Sequence, residues 1–311
     1  MEIWFLGTGA GRPSKERNVT SIALRLPEPE GGLWMFDAGE GTQHQMMRSP
    51  LKMGKLNALF ITHLHGDHTF GIPGLLSTRS YSGGKGPLHL FGPVGIEEMV
   101  RTALRLSGTH VDYELIITEI HRDGVIFEDE RFIVEAWSLD HRLPCYGYRL
   151  LERDCPGKLN TERLKALGVP SGPLYGKLKQ GEDVELPDGT TVRAADVAGA
   201  PLKGRIIAIA GDTSPCANMA RLAENADLLV HEATFAAGQE EKAHEYGHST
   251  TVEAAQAAKD AGVRQLIMTH FSSRFMLEDM PMLEEEAQRI FPQSEAAYDL
   301  FHAKIARRSD C

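Results

Sequence analysis

The residues best suited to chemistry lie in one short segment, the sequence HLHGDH that begins at His63. His63 and His65 are two positions apart after the apolar run 58–61, so both side chains can leave the end of a strand on the same side. Asp67 and His68 follow where the chain turns toward a helix, and they can serve a second ion nearby. Imidazole and carboxylate groups are ligands of zinc and related divalent metals, at about 2.0–2.2 Å. The spacing therefore predicts a site for two metal ions.

Three further candidate ligands come directly after other predicted strands. An isolated histidine is more often a packing residue than a ligand, and this chain has 13 histidines. A scatter of structural histidines would not, however, end one strand after another. The pattern predicts that separate strands converge on the same metal site. Strands are predicted at 131–138, 205–210 and 265–269, and the candidates that follow them are His141, Asp212 and His270.

Length and composition indicate an ordinary globular protein. The 311 residues suffice for one large domain or two small ones. No apolar run approaches the roughly 20 residues that span a bilayer, and the N-terminus lacks the pattern of a secretion signal. We therefore expect a cytoplasmic protein with no membrane partner. The cysteines are scattered without a C-x-x-C pair, which argues against thiolate zinc ligands; they are Cys145, Cys155, Cys216 and Cys311.

The charge of the chain argues against a nucleic-acid substrate. Its 33 Lys and Arg and 43 Asp and Glu give a formal net charge of −10, whereas nucleic-acid-binding proteins usually carry a basic footprint. Net charge describes the whole surface, and a binding face needs only a local basic patch. Bound metal ions also add positive charge that the composition omits. The charge therefore does not exclude such a substrate.

Other elements are predicted from apolar periodicity and from turn residues. The first strand, Met1–Leu6, runs into a glycine-rich loop, but the polar stretch after it excludes a dinucleotide-binding helix. That loop is basic instead. Helices are predicted over Ile72–Arg79 and over Val252–Asp260, the latter with Ser249 or Thr250 as its N-cap.

The character of the chain changes between about residues 153 and 204. Prolines, glycines and charges are dense there, and hydrophobic periodicity is weak apart from a possible short helix over Thr161–Leu167. A compact domain rarely contains so long an irregular segment without a functional reason. We interpret the segment as a protruding arm. A disordered insertion is the alternative, although the apolar residues over Gly168–Leu174 speak against it.

The H-x-H-x-D-H segment resembles the signature of the metallo-β-lactamase superfamily. The resemblance implies an α/β fold, a four-layer αββα sandwich with the metals at one edge of the two sheets. The D-x-G-x-G-T turn at Asp37–Thr42 also matches, and in this superfamily it packs under the metal site. We therefore expect a single domain over residues 1–311, with the arm inserted at about 153–204.

Four further sequence features are similar to the ribonuclease Z family of tRNA 3′-processing endonucleases, in its short form. They are the P-x-K-x-R-N loop that begins at Pro13, HEAT at His231–Thr234, HST at His248–Thr250, and an arm that contains Gly172 and Pro173. Their order along the chain is specific, and the resemblance covers nearly the whole sequence.

The resemblance implies a two-zinc hydrolase. One zinc ion would be held by His63, His65 and His141, the other by Asp67, His68 and His270, with Asp212 between them. Asp67 would also accept the proton of the attacking water. His248, oriented by Glu232, would donate a proton to the leaving ribose oxygen, so that the tRNA keeps a 3′-hydroxyl and the trailer a 5′-phosphate.

The resemblance also implies how precursor tRNA is bound. Lys15, Arg17 and Asn18 would sense the CCA end, and the arm with Gly172 and Pro173 would hold the body of the tRNA. The family further implies a homodimer that forms through the helix around 70–79.

Three alternatives stay open at this point. A small-molecule hydrolase of the same superfamily, such as a thiolesterase or arylsulfatase, would need neither the arm nor the basic loop. A non-catalytic RNA-binding scaffold conflicts with seven filled ligand positions. Glu232 and His248 could also be a buried hydrogen-bonded pair without a chemical part.

Overall fold

The structure is a computed structural model that describes residues 1–28 and 31–307. Cys311 lies outside the described residues. Within them, the strands of the first half are β1 (Glu2–Gly7), β2 (Ser21–Arg25), β3 (Leu33–Phe36), β4 (Leu56–Phe60), β5 (Leu88–Pro93), β6 (Leu115–Ile120), β7 (Gly124–Glu128) and β8 (Phe132–Leu139). Those of the second half are β9 (Cys145–Glu152), β10 (Val184–Glu185), β11 (Thr191–Val192), β12 (Ile206–Ile209), β13 (Leu228–Glu232), β14 (Leu266–Thr269), β15 (Ser294–Ala296) and β16 (His302–Lys304).

Helices connect these strands. They are α1 (Thr42–Met47), α2 (Gly66–Thr69), α3 (Ile72–Tyr81), α4 (Ile96–Ser107), α5 (Thr161–Ala166), α6 (Pro173–Lys179), α7 (Ala194–Val197), α8 (Asn218–Ala223), α9 (Glu240–Tyr246), α10 (Thr251–Asp260) and α11 (Met280–Gln288), with 3₁₀ turns at Met53–Lys55 and Leu277–Asp279. None of the helices formed by the described residues combines the length and apolarity that crossing a membrane requires.

Two seven-stranded sheets form the centre of the molecule. One has the order β16-β1-β2-β3-β4-β5-β6 and the other β15-β14-β13-β12-β9-β8-β7. Strands β3 to β6 run parallel to one another, as do β12 to β15. Parallel strands place their carboxyl ends at the same edge of a sheet, which is where ligands usually bind in α/β proteins.

Three apolar clusters fill the spaces between four layers. Ile3, Phe60 and Tyr148 belong to the cluster between the two sheets. A second cluster joins the first sheet to α1, α3 and α4, and a third joins the other sheet to α8, α10 and α11. Successive residues of β1 alternate between two clusters, because Ile3 and Phe5 face the other sheet whereas Trp4 and Leu6 face the helices. The predicted αββα sandwich is confirmed.

Most predicted elements are confirmed within two residues of their ends. The helix expected over 72–79 continues to Tyr81, and the helix expected over 252–260 begins at Thr251 with Thr250 as its N-cap. The N-cap makes a capping box with Glu253. Strand β9 was not expected, because its sequence includes Arg149 and Glu152, which are buried in the structure.

The segment inserted between β9 and β12 has an apolar cluster of its own. The cluster includes Leu164, Leu178 and Val192, and it joins α5, α6, α7 and the β10–β11 hairpin. The helix expected over 161–167 is α5. A two-stranded stalk connects the segment to the sandwich, since Cys155 and Leu202 exchange backbone hydrogen bonds of 3.0 and 2.9 Å. In the following we call residues 153–204 the arm.

Candidate metal centre

Seven side chains proposed as ligands come together at one edge of the sandwich. The ligand atoms of His63, His65 and His141 form one group, and those of Asp67, His68 and His270 form another; within each group the atoms lie within 4.8 Å of one another. Asp212 Oδ2 lies between the groups, 3.7, 3.5 and 3.3 Å from Nε2 of His63, His68 and His270. Two ligands on one tetrahedral zinc ion are about 3.3–3.4 Å apart. The spacing of the side chains therefore fits a metal.

The ends of strands from both sheets bring these residues together. Strand β4 precedes His63, β8 precedes His141, β12 precedes Asp212 and β14 precedes His270. His270 has a left-handed backbone with φ of 59°, a conformation that costs roughly 1–3 kcal/mol for a residue other than glycine. This conformation turns the chain sharply at the end of β14.

Hydrogen bonds orient four of the imidazole rings through Nδ1. His68 donates to Asp37 Oδ2 (2.7 Å), and His141 donates to the carbonyl of Gly247 (2.7 Å). The hydroxyls of two threonines donate to carboxylates and must therefore accept from the adjacent rings; the pairs are Thr62 with His63 (3.0 Å) and Thr234 with His270 (2.9 Å). In all four rings Nδ1 is taken up by this hydrogen bond, so Nε2 is the atom that would face a metal. The donor set thus fits a metal as well as the distances do.

The turn at Asp37–Thr42 packs against the ligand segment and holds it through hydrogen bonds. Asp37 accepts hydrogen bonds from Thr62 N and Oγ1, both 2.8 Å, besides the one from His68. A Cβ atom at Gly39 would lie 2.2 Å from the carbonyl oxygen of Asp67. Only glycine lets the turn approach the ligand segment so closely, which gives a physical reason for the glycine of this motif.

Burial and neighbouring charges shift the pKa values of the proposed ligands in opposite directions. Burial lowers the pKa of His63 well below its ordinary value, which favours the neutral ring that a metal needs. Burial would also lower the pKa of His68, but the carboxylates of Asp212 and Asp37 outweigh it and raise that pKa. For Asp212, burial alone would raise the pKa, and the surrounding His270, His68 and His63 hold it well below its ordinary value.

Glu232 and His248 form a hydrogen-bonded pair beside the ligands. His248 Nδ1 lies 2.8 Å from Glu232 Oε1 and 3.9 Å from Asp212 Oδ2. Glu232 is buried and also accepts from the backbone of Thr213, Thr234 and Ser249. Burial alone would lower the pKa of His248, but the Glu232 carboxylate raises it to about 9. His248 can therefore carry a proton at neutral pH while part of its side chain reaches the cavity.

The basic loop after β1 is tied to the metal centre and to the C-terminal region. The backbone N–H of Gly11 donates to Asp67 Oδ2 at 2.7 Å. Asp299 accepts from the backbone N–H groups of Thr8 (3.0 Å) and Asn18 (2.7 Å), which fixes both ends of the loop. The loop therefore cannot move freely without disturbing a proposed ligand.

The proposed substrate-binding residues have different surroundings. Lys15 is exposed, and the Asn18 side chain donates to the carbonyl of Glu40 at 2.8 Å. Arg17 is only 3% exposed, and its guanidinium donates to the carbonyls of Phe275 and Met276. In this conformation Arg17 holds the loop instead of facing a ligand. Gly172 and Pro173 lie at the exposed start of α6 in the arm, apart from the ligand cluster.

A cavity of about 650 Å³ opens over the metal centre. Asp67, Asp212, His248 and His270 line it. Several other lining residues were not identified as part of the site from the sequence, because nothing local shows which side chains of loops and helix ends face a cavity; they include Arg12, Glu40, Phe70, Phe235 and Tyr246. The cavity thus combines polar groups that can do chemistry with aromatic walls.

Comparisons with known proteins agree with this architecture. The family described as "Beta-lactamase superfamily domain" matches residues 179–271, and the one described as "Anti-Pycsar protein Apyc1" matches residues 1–125. Human tRNase Z, short form, is 31% identical and superposes with a TM-score of 0.73, covering 98% of this chain and 100% of the human one. A metallo-β-lactamase-fold protein from Bacillus subtilis is 18% identical with a TM-score of 0.66, which shows the fold alone.

Sequence relatives extend over the full length of the chain. Ribonuclease Z of Bacillus licheniformis is 53% identical over 99% of this chain and 100% of the relative. Ribonuclease Z of Geobacillus kaustophilus is 52% identical over the same shares. Identity at this level over whole chains shows that the protein belongs to the ribonuclease Z family of metal-dependent hydrolases.

Proposed function

We propose that this chain is a zinc-dependent endoribonuclease that removes the 3′ trailer from precursor tRNA. The cut leaves a 3′-hydroxyl on the tRNA and a 5′-phosphate on the trailer. The observation that carries the proposal is the 2.8 Å pair of His248 and Glu232, which lies beside two groups of ligands in one cavity. The full-length similarity to proteins named ribonuclease Z supports the substrate.

The ligands divide into two sets in this proposal. His63, His65 and His141 would hold one zinc ion and Asp67, His68 and His270 the other, while Asp212, which lies within 3.7 Å of imidazoles from both sets, would serve both. Two zinc ions would make hydroxide available at neutral pH and stabilise the negative charge that develops on a phosphodiester. Nitrogen and carboxylate donors suit zinc, although related divalent metals accept the same groups.

Asp67 and His248 divide the proton transfers between them. Asp67 accepts the proton of the attacking water, and the Gly11 N–H holds its Oδ2 in place. His248 donates a proton to the ribose oxygen that leaves. Glu232 keeps His248 protonated and oriented through the 2.8 Å hydrogen bond.

Two surfaces outside the metal centre bind the precursor. Lys15 and Asn18 contact the CCA end, and Arg17 positions the loop that carries them. The arm, with Gly172 and Pro173 at the start of α6, holds the body of the tRNA. Basic residues support this assignment, since the part of the arm from 153 to 179 has six Lys and Arg and two Asp and Glu.

We further propose that the protein acts as a homodimer in the cytoplasm. Met47, Tyr81 and Leu106 lie on the helical layer over the first sheet and are 70%, 91% and 73% exposed. Exposed apolar side chains on one layer suit contact with a second copy of the chain. The mass of the protein in solution tests this part independently.

The decisive experiment is cleavage of a labelled precursor tRNA. The unsubstituted protein, loaded with zinc, should release an intact trailer with a 5′-phosphate in one cut directly after the tRNA. Stepwise shortening of the trailer from its end, or no cleavage, would contradict the proposed activity.

A further inference from the structure

Phe70 exposes most of its ring at the rim of the cavity over the metal centre. The residue is 72% exposed, and it lines the same cavity as Asp67 and His248. A single exposed apolar side chain is ordinary on a protein surface. This ring differs from such a side chain because it lies two residues after the proposed ligand His68, at the cavity where substrate would bind.

The ring of Phe70 lies over the backbone of Gly66. A Cβ atom at position 66 would be 2.3 Å from Cε2 of Phe70 and 2.4 Å from its Cζ. Any residue other than glycine would therefore push the ring away. Gly66 stands between His65 and Asp67, so the flat ring is held directly beside the ligand segment.

The other aromatic side chains that line the cavity expose less ring surface to a ligand. Phe235 is only 5% exposed. Tyr246 is 42% exposed, but the guanidinium of Arg142 lies 4.8 Å from the centre of its ring. Among the aromatic rings that line this cavity in the described part of the chain, Phe70 offers the largest free surface.

We propose that Phe70 is a stacking platform for the base of the first trailer nucleotide, directly 3′ of the bond that is cut. This inference rests on the proposed function. Aromatic faces bind single-stranded nucleotides with little regard to sequence, because every base has a π-face. Such a contact suits trailers whose sequences differ from one precursor to the next.

The positions of the two proton-transfer residues indicate which base is bound. His248 lies between α9 and α10, beside Glu232 at the end of strand β13 of the second sheet, and would donate a proton to the leaving ribose oxygen of the tRNA. Phe70 follows α2, the short helix after strand β4 of the first sheet, and its ring lies over Gly66, next to Asp67. In this proposal the tRNA nucleotide, whose ribose oxygen leaves, lies toward His248, and the trailer nucleotide, which stays bonded to phosphorus through its O5′, lies toward Phe70.

The test uses two Phe70 variants and three precursor tRNAs. The precursors are natural, abasic at the first trailer nucleotide, or abasic at the last tRNA nucleotide. Phe70→Leu should raise KM for the natural precursor about 5- to 100-fold, because it removes the aromatic face. Phe70→Tyr keeps the ring and should retain the KM of the unsubstituted protein.

The abasic precursors distinguish stacking from a structural role. Phe70→Leu should cause no further loss when the first trailer base is absent, and the full loss when the last tRNA base is absent. An equal loss on all three precursors, an unchanged KM, or a loss traced to altered zinc content or altered mass in solution would overturn the inference. Failure of the unsubstituted protein to cut the natural precursor would instead overturn the proposed function and this inference with it.

Discussion

Four imidazole rings of the metal centre donate Nδ1 hydrogens to fixed acceptors, whereas the arm is held together by a small cluster of leucine, valine and alanine side chains. The metal centre is mostly buried, and its supports reach it from several parts of the chain. A two-stranded stalk at Cys155 and Leu202 connects the arm to the sandwich. The difference indicates that the side chains of the metal centre are held in fixed positions, as the making and breaking of bonds requires. The arm, which would only bind, needs no more than a stable fold.

The arm also differs from the rest of the chain in its net charge. The arm has eight Lys and Arg and seven Asp and Glu, against 33 and 43 in the whole chain. The arm is therefore close to neutral on an acidic protein, and its cations concentrate in the part before residue 180. A polyanion would meet the least repulsion there.

The largest expected effect is on the metal centre itself. Asp212→Ala removes a carboxylate that lies within 3.7 Å of three imidazoles. Cleavage of precursor tRNA should fall about 1,000-fold or more, because a bound metal stabilises the transition state by several kcal/mol. Elemental analysis should show that zinc is lost too. The exposed Asp260→Ala is a matched control, and similar losses in both variants would refute the ligand assignment.

Removal of the arm should separate binding from chemistry. The hydrogen-bonded pair of Cys155 and Leu202 allows residues 156–201 to be replaced by Asn-Gly, which closes a two-residue hairpin. A cut inside the arm would instead divide its apolar cluster. KM for precursor tRNA should rise on the order of 100-fold, since the proposed phosphate contacts of the arm would be lost.

A small substrate provides the control for the arm deletion. Bis(p-nitrophenyl) phosphate is too small to reach the arm, so its turnover should be retained. Equal loss on both substrates, with zinc still bound, would show that the arm shapes the metal centre.

A smaller effect is expected when Asp37, which accepts a hydrogen bond from the proposed ligand His68, is changed. Asp37→Asn weakens the hydrogen bonds to Thr62 and His68 but leaves every proposed ligand in place. Zinc affinity should fall about 10- to 100-fold, as is usual when such a partner is changed. A chelator titration measures it, and unchanged affinity would show that the ligands hold their positions without this carboxylate.

Substitution of Glu152, the residue directly before the arm, should have the smallest effect on cleavage. It should reduce the stability of the fold instead. Glu152 is buried and accepts from Arg205 Nε (2.7 Å) and Arg307 Nη2 (2.6 Å). Glu152→Gln should reduce the free energy of unfolding by about 3 kcal/mol at pH 7 in urea titrations. Glu128→Gln, which breaks the exposed pair with Arg153, should cost less than about 1 kcal/mol.

The effect at Glu152 should also depend on pH. Burial alone would raise the pKa of Glu152, but Arg205 and Arg307 lower it below its ordinary value of 4.5. A carboxylate with a depressed pKa stabilises the fold above its unfolded pKa and loses that contribution as pH falls through the folded one. The difference between Glu152→Gln and the unsubstituted protein should therefore shrink below about pH 4.5. A constant difference would mean that packing, not charge, is responsible.

The αββα layers were predicted from the resemblance of the H-x-H-x-D-H segment to a superfamily signature, whereas the candidate ligands also have a local signal, because they follow the ends of predicted strands. Apolar runs that stop at His63, Asp212 or His270 are visible in the sequence itself. Strand β9 was missed because Glu152 pairs with Arg205, which lies far along the chain. Arg17 was expected to face a substrate for the same reason, since its carbonyl acceptors at Phe275 and Met276 cannot be identified from neighbouring residues. Such long-range pairs decide which charged residues are buried.

The pairing of Leu151 with Ile206 bears on how such a protein can evolve. The two residues are direct neighbours on adjacent antiparallel strands, although more than fifty residues separate them along the chain. An insertion at this hairpin leaves the sheet register unchanged, so that an arm can be gained, lengthened or exchanged between lineages in one genetic event. The hydrolytic machinery would be inherited intact each time, and natural selection could adapt the arm to a new substrate independently of it.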